Sequence, residues 1–262
     1  LDERAYEITV FEKNFAPARK FLVAGDGGFN LTHSESIEQF VSRYTPPEFL
    51  DKAIRSFCNN DLCNWMNDIG IDTYIGTSKR MFPVDGIRPI DVLNAILKVI
   101  SRKNIPIKPK NTFKGWTADG DLLINHNYKD HVVKADIVVY ALGGASWAKT
   151  GSDGTWLNLF ADKGINTVPF QPSNCAFEIK WDEKFIDQEE GMPLKNIEVS
   201  CHGKTKKGEV VLTRFGIEGG AVYPLSPEIR KQLNENNAAT IFIDLKPTQS
   251  LAEIKKRLAN KG

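Results

Sequence analysis

The sequence predicts an α/β fold, and three features of the chain support this prediction. A continuous apolar run over residues 135–142 ends on Gly143 and Gly144, which is typical of a strand buried on both faces of a parallel sheet. Apolar residues with helical spacing fill residues 34–69 and 88–103. The C-terminal part of the chain then changes to short segments with strand-like composition.

The start of the chain has the composition of a helix end over residues 1–5, followed by a strand over residues 6–11 that ends on Glu12. An acidic residue at such a strand end is where a dinucleotide-binding fold holds a ribose hydroxyl, about 20 residues after a glycine fingerprint. Glu12 is too close to Leu1 for that fingerprint to precede it. We therefore expect the fingerprint to lie upstream and the chain to be an internal piece of a longer protein.

The middle of the chain predicts several further elements. Residues 34–69 divide into three helical segments, and residues 88–103 form another helix with Pro89 near its start. Two strands over residues 111–118 and 122–125 are joined through Asp119-Gly120, which predicts a two-residue hairpin turn. A helix over residues 155–163 is expected to end at Gly164.

A domain boundary is expected near residue 170. It would separate an α/β domain over residues 1–170, incomplete at its N-terminus, from a β-rich domain over residues 171–262, incomplete at its C-terminus. In the second domain the composition predicts strands over residues 175–179, 194–200, 209–213 and 240–244, and helices over residues 227–234 and 251–258. The lysine-rich residues 204–207 have the composition of a solvated turn.

The composition excludes several classes of protein. With 34 basic and 33 acidic residues the net charge is +1, so bulk charge does not favour a nucleic-acid partner. The most apolar stretch is far shorter than the roughly 20 residues that a membrane-spanning helix needs. Four scattered cysteines lack zinc-site spacing, which predicts reduced thiols, no metal site and a cytoplasmic protein without a membrane partner. The oligomeric state cannot be deduced.

A glycine-rich loop is the first candidate binding site. Gly25, Gly27 and Gly28 allow the backbone to approach a ligand closely, and the preceding Arg19 and Lys20 supply positive charge for an anion such as a pyrophosphate. A flexible surface loop between a strand and a helix explains the same residues.

The end of the apolar run is the second candidate site. Ala141, Gly143 and Gly144 would bring a strand end against a cofactor, since open α/β sheets bind ligands at the carboxyl ends of their strands. A tight strand-to-loop turn is the alternative. Gly151-Ser152-Asp153-Gly154 is either an anion site or a helix start capped by Asp153. His33 is the candidate general acid or base, because an imidazole exchanges protons near neutral pH.

The residues that support a family resemblance follow one another along nearly the whole chain. They are Arg19-Lys20-Phe21-Leu22, Gly25-x-Gly27-Gly28-x-Asn30-Leu31-Thr32-His33, Ala141-Leu142-Gly143-Gly144-Ala145-Ser146-Trp147, Gly151-Ser152-Asp153-Gly154, Pro172-x-Asn174-Cys175, Gly216-Ile217-Glu218-Gly219 and Ile243-Asp244-Leu245-x-Pro247. The chain resembles the bacterial three-domain NAD(P)/FAD-dependent oxidoreductases, which include aminoacetone oxidase and BaiN-type bile-acid enzymes. It is most similar to the flavoprotein subgroup with ALGGASW and GIEG motifs.

The resemblance implies a Rossmann-like FAD-binding domain with an inserted β-rich, barrel-like substrate domain and helical segments. It implies that Glu12 binds the adenosine ribose, that Lys13 belongs to the cofactor-binding residues and that Phe113 offers backbone contacts near the adenine. The residues implied along the pyrophosphate and the flavin are Arg19, Lys20, Gly25, Gly27, Gly28, Asn30, Thr32, Ala141, Gly143 and Gly144. Ala18 stands where the family has glycine, so a left-handed backbone there would be strained.

The function implied is that of an FAD-dependent oxidoreductase acting on a small amine-like or enone-like molecule, with NAD(P)H as a possible electron donor. Two alternatives stay open. One is an NAD(P)H-dependent flavin reductase or dehydrogenase, and the other is a non-catalytic nucleotide-binding or structural module. No zinc-hydrolase, serine-hydrolase or P-loop motif occurs in the sequence.

Overall fold

The structure, a computed structural model, describes residues 5–23 and 29–260. The chain divides into two compact units, residues 1–169 and residues 170–262, each with its own hydrophobic core. The helix end predicted for residues 1–5 falls almost entirely outside the described residues. No helix in the described ranges is both long and apolar enough to cross a lipid bilayer.

The helices of the first unit follow the apolar spacing of the sequence. They are α1 (Arg19–Val23), α2 (Ile37–Val41), α3 (Pro47–Ser56), α4 (Asn59–Asp68), α5 (Pro89–Arg102) and α6 (Trp156–Asp162). The three helical segments predicted in residues 34–69, and the helices predicted at 88–103 and 155–163, are confirmed. Gly164, with φ +82°, follows the end of α6 as predicted.

The core of the first unit forms where the apolar faces of these helices meet. Met66 of α4, Ile71 and the fully buried Val92 of α5 are its centre. Phe21 of α1 and Phe29 pack against this core and contact each other edge to face, with ring centroids 5.0 Å apart. The chain on both sides of the glycine-rich loop is therefore held by one core.

The strands of the first unit form three small sheets. They are β1 (Val10–Phe11), β2 (Thr32–His33), β3 (Thr73–Ile75), β4 (Arg80–Pro83), β5 (Ile107–Lys108), β6 (Asn111–Trp116), β7 (Leu122–His126) and β8 (Lys129–Val133). Strand β1 pairs in parallel with β5, β2–β4–β3 is antiparallel, and β6–β7–β8 is an antiparallel meander. The strand predicted over residues 6–11 is thus present only in its last two residues.

The turn between β6 and β7 differs from the prediction. The Thr117 N–H donates to the Asp121 carbonyl at 2.9 Å, and the Gly120 N–H donates to the Thr117 carbonyl at 3.1 Å. These bonds enclose three residues, Ala118, Asp119 and Gly120, instead of the predicted two. Gly120 has φ +91°, so it supplies the left-handed position that a three-residue loop requires.

The strand predicted over residues 135–142 is wrong for the described structure. This segment forms no strand, and Ile137 and Val139 are 51% and 72% exposed. A buried strand needs a hydrogen-bonded neighbour, and no described strand pairs with these residues. Tyr140 of this segment packs against the β6–β7–β8 meander, where its hydroxyl accepts from Trp116 Nε1 at 2.8 Å.

The second unit is built around an antiparallel sheet. Its strands are β9 (Phe177–Glu178), β10 (Pro193–Cys201), β11 (Lys204–Thr213), β12 (Gly216–Glu218) and β13 (Phe242–Asp244), in the order β13–β10–β11–β12–β9. Its helices are α7 (Glu183–Glu189), α8 (Ser226–Asn236) and α9 (Leu251–Ala259). The strands and helices predicted for this part of the chain are therefore present. The core combines Val199 and Val210 of the sheet with Leu225 and Ile229.

The lysine-rich residues 204–207 were predicted to form a turn, and this prediction is wrong. They lie in β11, and the turn is formed by His202 and Gly203 before them. The lysine side chains are exposed. Buried side chains alternate with less buried ones only further along β11.

Candidate functional site

The backbone before α1 adopts a left-handed conformation at Ala18, with φ +59°. Its carbonyl accepts the Leu22 N–H at 3.2 Å, so the helix begins directly after this residue. Arg19 and Lys20 therefore occupy the first turn and are exposed. The Arg19 guanidinium lies 6.0 Å from the centre of the Phe15 ring.

Lys20 connects α1 to the two glycine loops that follow residue 142. Its ammonium group contacts the hydroxyl of Ser146, and it lies 3.4 Å from the hydroxyl of Ser152. These described contacts are with neutral hydroxyls and not with a carboxylate, so the positive charge is available to an anionic ligand. The structure thus brings together segments that are more than a hundred residues apart.

The loop after Gly143 is held by its own hydrogen bonds. The Trp147 N–H donates to the Ser152 carbonyl at 3.1 Å, and the Ser152 N–H donates to the Trp147 carbonyl at 3.2 Å. The Gly143 carbonyl accepts from Trp156 Nε1 at 3.0 Å. Gly143 has φ +78°, and a β-carbon there would meet no atom within 4 Å. Open space therefore lies beside an ordered glycine backbone, as a closely approaching cofactor requires.

The end of β1 meets the same loops. Glu12 Oε1 accepts from the Asn14 backbone N–H at 2.7 Å and from Asn14 Nδ2 at 2.9 Å, so the carboxylate is oriented by its own turn. A β-carbon on Gly151, which has φ +92°, would lie 2.6 Å from Asn14 Nδ2. A side chain at position 151 would therefore displace the Asn14 amide, and the positive φ favours glycine there.

The Lys13 ammonium forms an ion pair with Asp153, at 2.7 Å. The hydrogen bond from Lys13 is the main reason that the pKa of Asp153 lies below its ordinary value. Asp153 Oδ1 also accepts from the Thr155 N–H at 3.2 Å, directly before α6. The N-cap residue of α6 is Thr155, and no side chain caps the helix, so the predicted capping by Asp153 is wrong. The Asp153 carboxylate instead orders the turn before the helix and pairs with Lys13.

Phe113 lies in an aromatic cluster formed by Phe113, Trp116, Tyr140, Trp156 and Phe160. Its ring centroid is 5.0 Å from that of Trp116 and 5.4 Å from that of Tyr140. Its backbone pairs with Ile124 in the meander, next to an irregularity before Gly115. The side chain is thus used in packing, and only the backbone is available for the predicted adenine contact.

His33 lies apart from the contacts of Lys20. It ends β2, where it pairs with Arg80 of β4, and its ring Nδ1 accepts the Glu35 N–H at 3.2 Å. Its described contacts are with Glu35, with Asn59 and with β4, and none is with Lys20. Thr32 beside it pairs with Met81.

The predicted site residues therefore form one group and several separate positions. The structure joins Glu12, Lys13, Lys20, Gly143 and Gly144 through Asn14, Ser146, Ser152 and Asp153. Arg19, Asn30 and Ala141 are exposed outside this group. Gly25, Gly27 and Gly28 lie outside the described residues. Among the described residues there is no group of three side chains that could hold a metal ion.

Sequence reasoning missed the residues that complete these sites. Ser146 and Ser152 lie within two of the motifs that support the family resemblance. A hydroxyl side chain beside a glycine pair was the sequence signal that could have identified them. Asn59, which supports the His33 segment, carries no sequence signal because the carbonyl it binds is 26 residues away. Arg43 binds Glu35 eight residues away, outside any predicted motif.

An α/β unit in which glycine loops and lysines meet at a strand end has the architecture of Rossmann-type nucleotide-binding proteins. The chain belongs to the family described as HI0933-like protein Rossmann domain, which matches residues 1–239. This confirms the predicted fold class and the predicted family.

A relative of known name is the 3-dehydro-bile acid delta(4,6)-reductase of Clostridium scindens. It is 22% identical to this chain over 263 aligned positions, which cover 95% of the chain and 61% of the relative. The chain thus spans less than two thirds of the length of this relative. At this identity the similarity extends to the family and not to a substrate.

Proposed function

We propose that the protein is an FAD-dependent oxidoreductase whose cofactor binds in the first unit, beside Lys20 and the two serines that it contacts, Ser146 and Ser152. The observation that supports this most directly is the Lys20 ammonium between two hydroxyls, beside a glycine backbone with open space around it. A dinucleotide pyrophosphate needs a cation and a close backbone approach, and this geometry offers both. The residues present therefore fit the cofactor that the family resemblance implies.

The residues that the structure brings together around Lys20 have distinct roles in this proposal. Glu12, oriented by Asn14, accepts a ribose hydroxyl, and Lys13 holds the 151–154 loop in place through Asp153. Lys20 binds the pyrophosphate, and Arg19 in the same helical turn adds positive charge. Gly143 and Gly144 leave room for the ring system. Bound FAD supplies two-electron redox chemistry, for which the protein provides binding and orientation.

The substrate in this proposal is a small organic molecule of the enone type, reduced with NAD(P)H as electron donor. The name of the Clostridium scindens relative, a reductase, supports reduction over amine oxidation. The β-rich second unit is proposed to be the substrate domain. We further propose a cytoplasmic protein without nucleic-acid or membrane partners.

The test is the visible absorption spectrum of the full-length protein that contains this chain, before and after incubation with FAD. We expect flavin bands, and we expect Lys20→Met to raise the dissociation constant of FAD about tenfold through loss of a charged contact. Lys52→Met on α3, another exposed lysine, is the matched control and should leave FAD affinity unchanged. A colourless protein that takes up no FAD would instead favour the structural-module alternative.

The electron donor is tested separately. Rapid anaerobic bleaching of the flavin by NADPH, without an organic substrate, is expected of a reductase. Slow bleaching by NADPH, together with rapid bleaching by an amine such as benzylamine, would favour an oxidase.

A further inference from the structure

The turn after β1 offers one carboxylate oxygen to a ligand. Glu12 Oε1 accepts from the Asn14 backbone N–H at 2.7 Å and from Asn14 Nδ2 at 2.9 Å, and no group in the described ranges donates to Oε2. Turning the carboxylate away would break both hydrogen bonds, so it is held in this position. Oε2 can accept from a hydroxyl, but the charged carboxylate repels a phosphate group placed against it.

The backbone of this turn is fixed by the neighbouring chain. The Glu12 N–H donates to the Lys108 carbonyl at 3.0 Å, and the Glu12 carbonyl accepts the Asn111 N–H at 2.9 Å. The Asn14 carbonyl accepts the Lys110 N–H at 2.9 Å. The carboxylate and the amide that holds it are therefore both attached to the chain around the end of β5, and opening the turn would break these bonds as well.

The side chain of Lys13 is the cation next to this carboxylate. In dinucleotide-binding folds an arginine near the acidic strand end accommodates a ribose 2′-phosphate, and Lys13 is the basic residue adjacent to Glu12. The Lys13 ammonium is paired with Asp153 Oδ2 at 2.7 Å. The two side chains are only 34% and 32% exposed, so water screens the pair incompletely. The charge of Lys13 is therefore already compensated.

Asp153 is held against Lys13 by its own turn. Its Oδ1 accepts from the Thr155 N–H at 3.2 Å and from the Thr155 hydroxyl at 3.0 Å, so both carboxylate oxygens have partners. The hydrogen bond from Lys13 is the main cause of its lowered pKa, which keeps Asp153 ionised at neutral pH. The end of β1 therefore carries two fixed carboxylates, Glu12 and Asp153, and one ammonium that is already paired.

We propose that Asp153 is a specificity-determining residue that, together with the fixed carboxylate of Glu12, restricts this site to adenosine nucleotides without a 2′-phosphate. This proposal rests on the proposed function, in which the adenosine ribose of FAD lies at Glu12, and it adds which nucleotides the site rejects. A 2′-phosphate there would face Glu12 without a free cation, because Asp153 occupies Lys13. An unphosphorylated ribose needs only the acceptor that Oε2 provides.

The test is calorimetric titration of the full-length apoprotein with two probes, ADP-ribose and its 2′-phosphate, which differ only in that group. We expect ADP-ribose to bind at least about tenfold more tightly. Equal affinities, or tighter binding of the 2′-phosphate, would overturn the proposal. So would failure of both probes to bind a protein that takes up FAD, because the adenosine ribose would then not lie at Glu12.

FAD uptake by the same preparation separates the two proposals. A protein that takes up FAD but binds both probes equally keeps the proposed function and loses only the specificity assigned to Asp153. A protein that takes up no FAD loses the proposed function and this proposal with it.

Variants test the role of Asp153 directly. Asp153→Asn keeps the size of the side chain and frees the Lys13 ammonium, so the preference for ADP-ribose should fall from about tenfold to about threefold or less. Adding Lys13→Met to this variant should restore the preference. Asp162→Asn is the matched control, since Asp162 is an exposed carboxylate at the end of α6, and it should leave the preference unchanged.

Asn14→Ala is an independent variant in case Asp153→Asn folds poorly. It removes the side-chain bond to Glu12 Oε1, so the carboxylate can turn away from a phosphate, and the preference should fall here too. A preference that stays the same in both variants would overturn the proposal. Loss of affinity for both probes by one factor would do so as well, because it indicates a structural role.

Discussion

Ala18 carries a β-carbon in the left-handed region of backbone space, with φ +59°. This conformation costs about 1–2 kcal/mol for a residue other than glycine. Glycine removes that strain but also gains freedom in the unfolded chain, worth about 0.4–1 kcal/mol. We therefore expect Ala18→Gly to raise the free energy of unfolding by about 0.5–1 kcal/mol in urea titrations.

Ala16→Gly is the control for this change. Ala16 has no left-handed backbone, so glycine there only adds freedom to the unfolded chain and should lower the free energy of unfolding. Equal effects of the two substitutions would show that position 18 is not strained.

The ion pair of Glu35 and Arg43 makes stability depend on pH. Arg43 holds the pKa of Glu35 below its ordinary value of 4.5 in the folded state. The stabilisation is therefore fully present above pH 4.5 and is lost as the pH falls through the lower, folded-state pKa. We expect Arg43→Met to cost about 1–2 kcal/mol near neutral pH and progressively less in acid.

Chemical denaturation of both proteins over this pH range measures the difference. Arg55→Met is the comparison, since the partners of Arg55 are exposed carboxylates and the loss of these ion pairs should change stability little at any pH. A wild-type advantage over Arg43→Met that stays constant into acid would contradict the assignment to Glu35.

Part of the candidate site could be predicted from the sequence, because the neighbours of some residues in the chain indicate what those residues can bind. Lys20 follows a strand end and precedes glycines, and Gly143-Gly144 ends an apolar run, so both could be predicted to bind a cofactor. The role of Asn59 could not be predicted, because the two carbonyls that it binds lie 26 and 24 residues away along the chain. They become neighbours of Asn59 only in the folded protein.

At the scale of elements, the GIEG turn of the second unit depends on two glycines. A β-carbon on Gly216 would lie 1.9 Å from the Phe177 carbonyl oxygen, across the β9–β12 pairing. A β-carbon on Gly219, which has φ +123°, would lie 2.7 Å from the Glu209 carbonyl oxygen. Both contacts are with backbone, which cannot move away without separating strands.

We expect Gly219→Ala to lower the free energy of unfolding by about 2–3 kcal/mol or more, through steric overlap and an unfavourable φ. Gly220→Ala is the neighbouring control, with no atom within 4 Å of the added carbon, and should change stability by less than about 0.5 kcal/mol. Thermal melts of the two variants decide between a required glycine and a tolerated one.

Helices were predicted more successfully than strands for a physical reason. The helical spacing of the apolar residues in α5 is a local pattern, so the sequence alone could predict the helix, although not that Val92 is its most buried residue. Residues 135–142 have an equally clear strand pattern, but a strand needs a hydrogen-bonded neighbour and none is described beside them. The shortness of β1 has the same origin, since its pairing covers only Val10 and Phe11.

At the scale of the whole molecule, the chain has one core around Val92 and another around Leu225, and both residues are fully buried. We expect Leu225→Ala, which costs about 2–5 kcal/mol, to increase hydrogen exchange first in β10 and β11. Val92→Ala should act first on α4 and α5. Mass-spectrometric exchange by segment distinguishes the two patterns.

Equal loss of protection across both units in either variant would contradict the assignment of separate cores. The compact units divide after Pro169, and the sequence could not define which side chains close each core. Those contacts join residues as distant as Ile186 and Ile229.

The exposed extended segment around Val139 also has a practical consequence. Consecutive β-branched and aromatic residues with unpaired backbone groups are a template on which a strand from another chain can be added. We therefore expect this stretch to favour aggregation whenever it is left uncovered, during synthesis or after proteolysis.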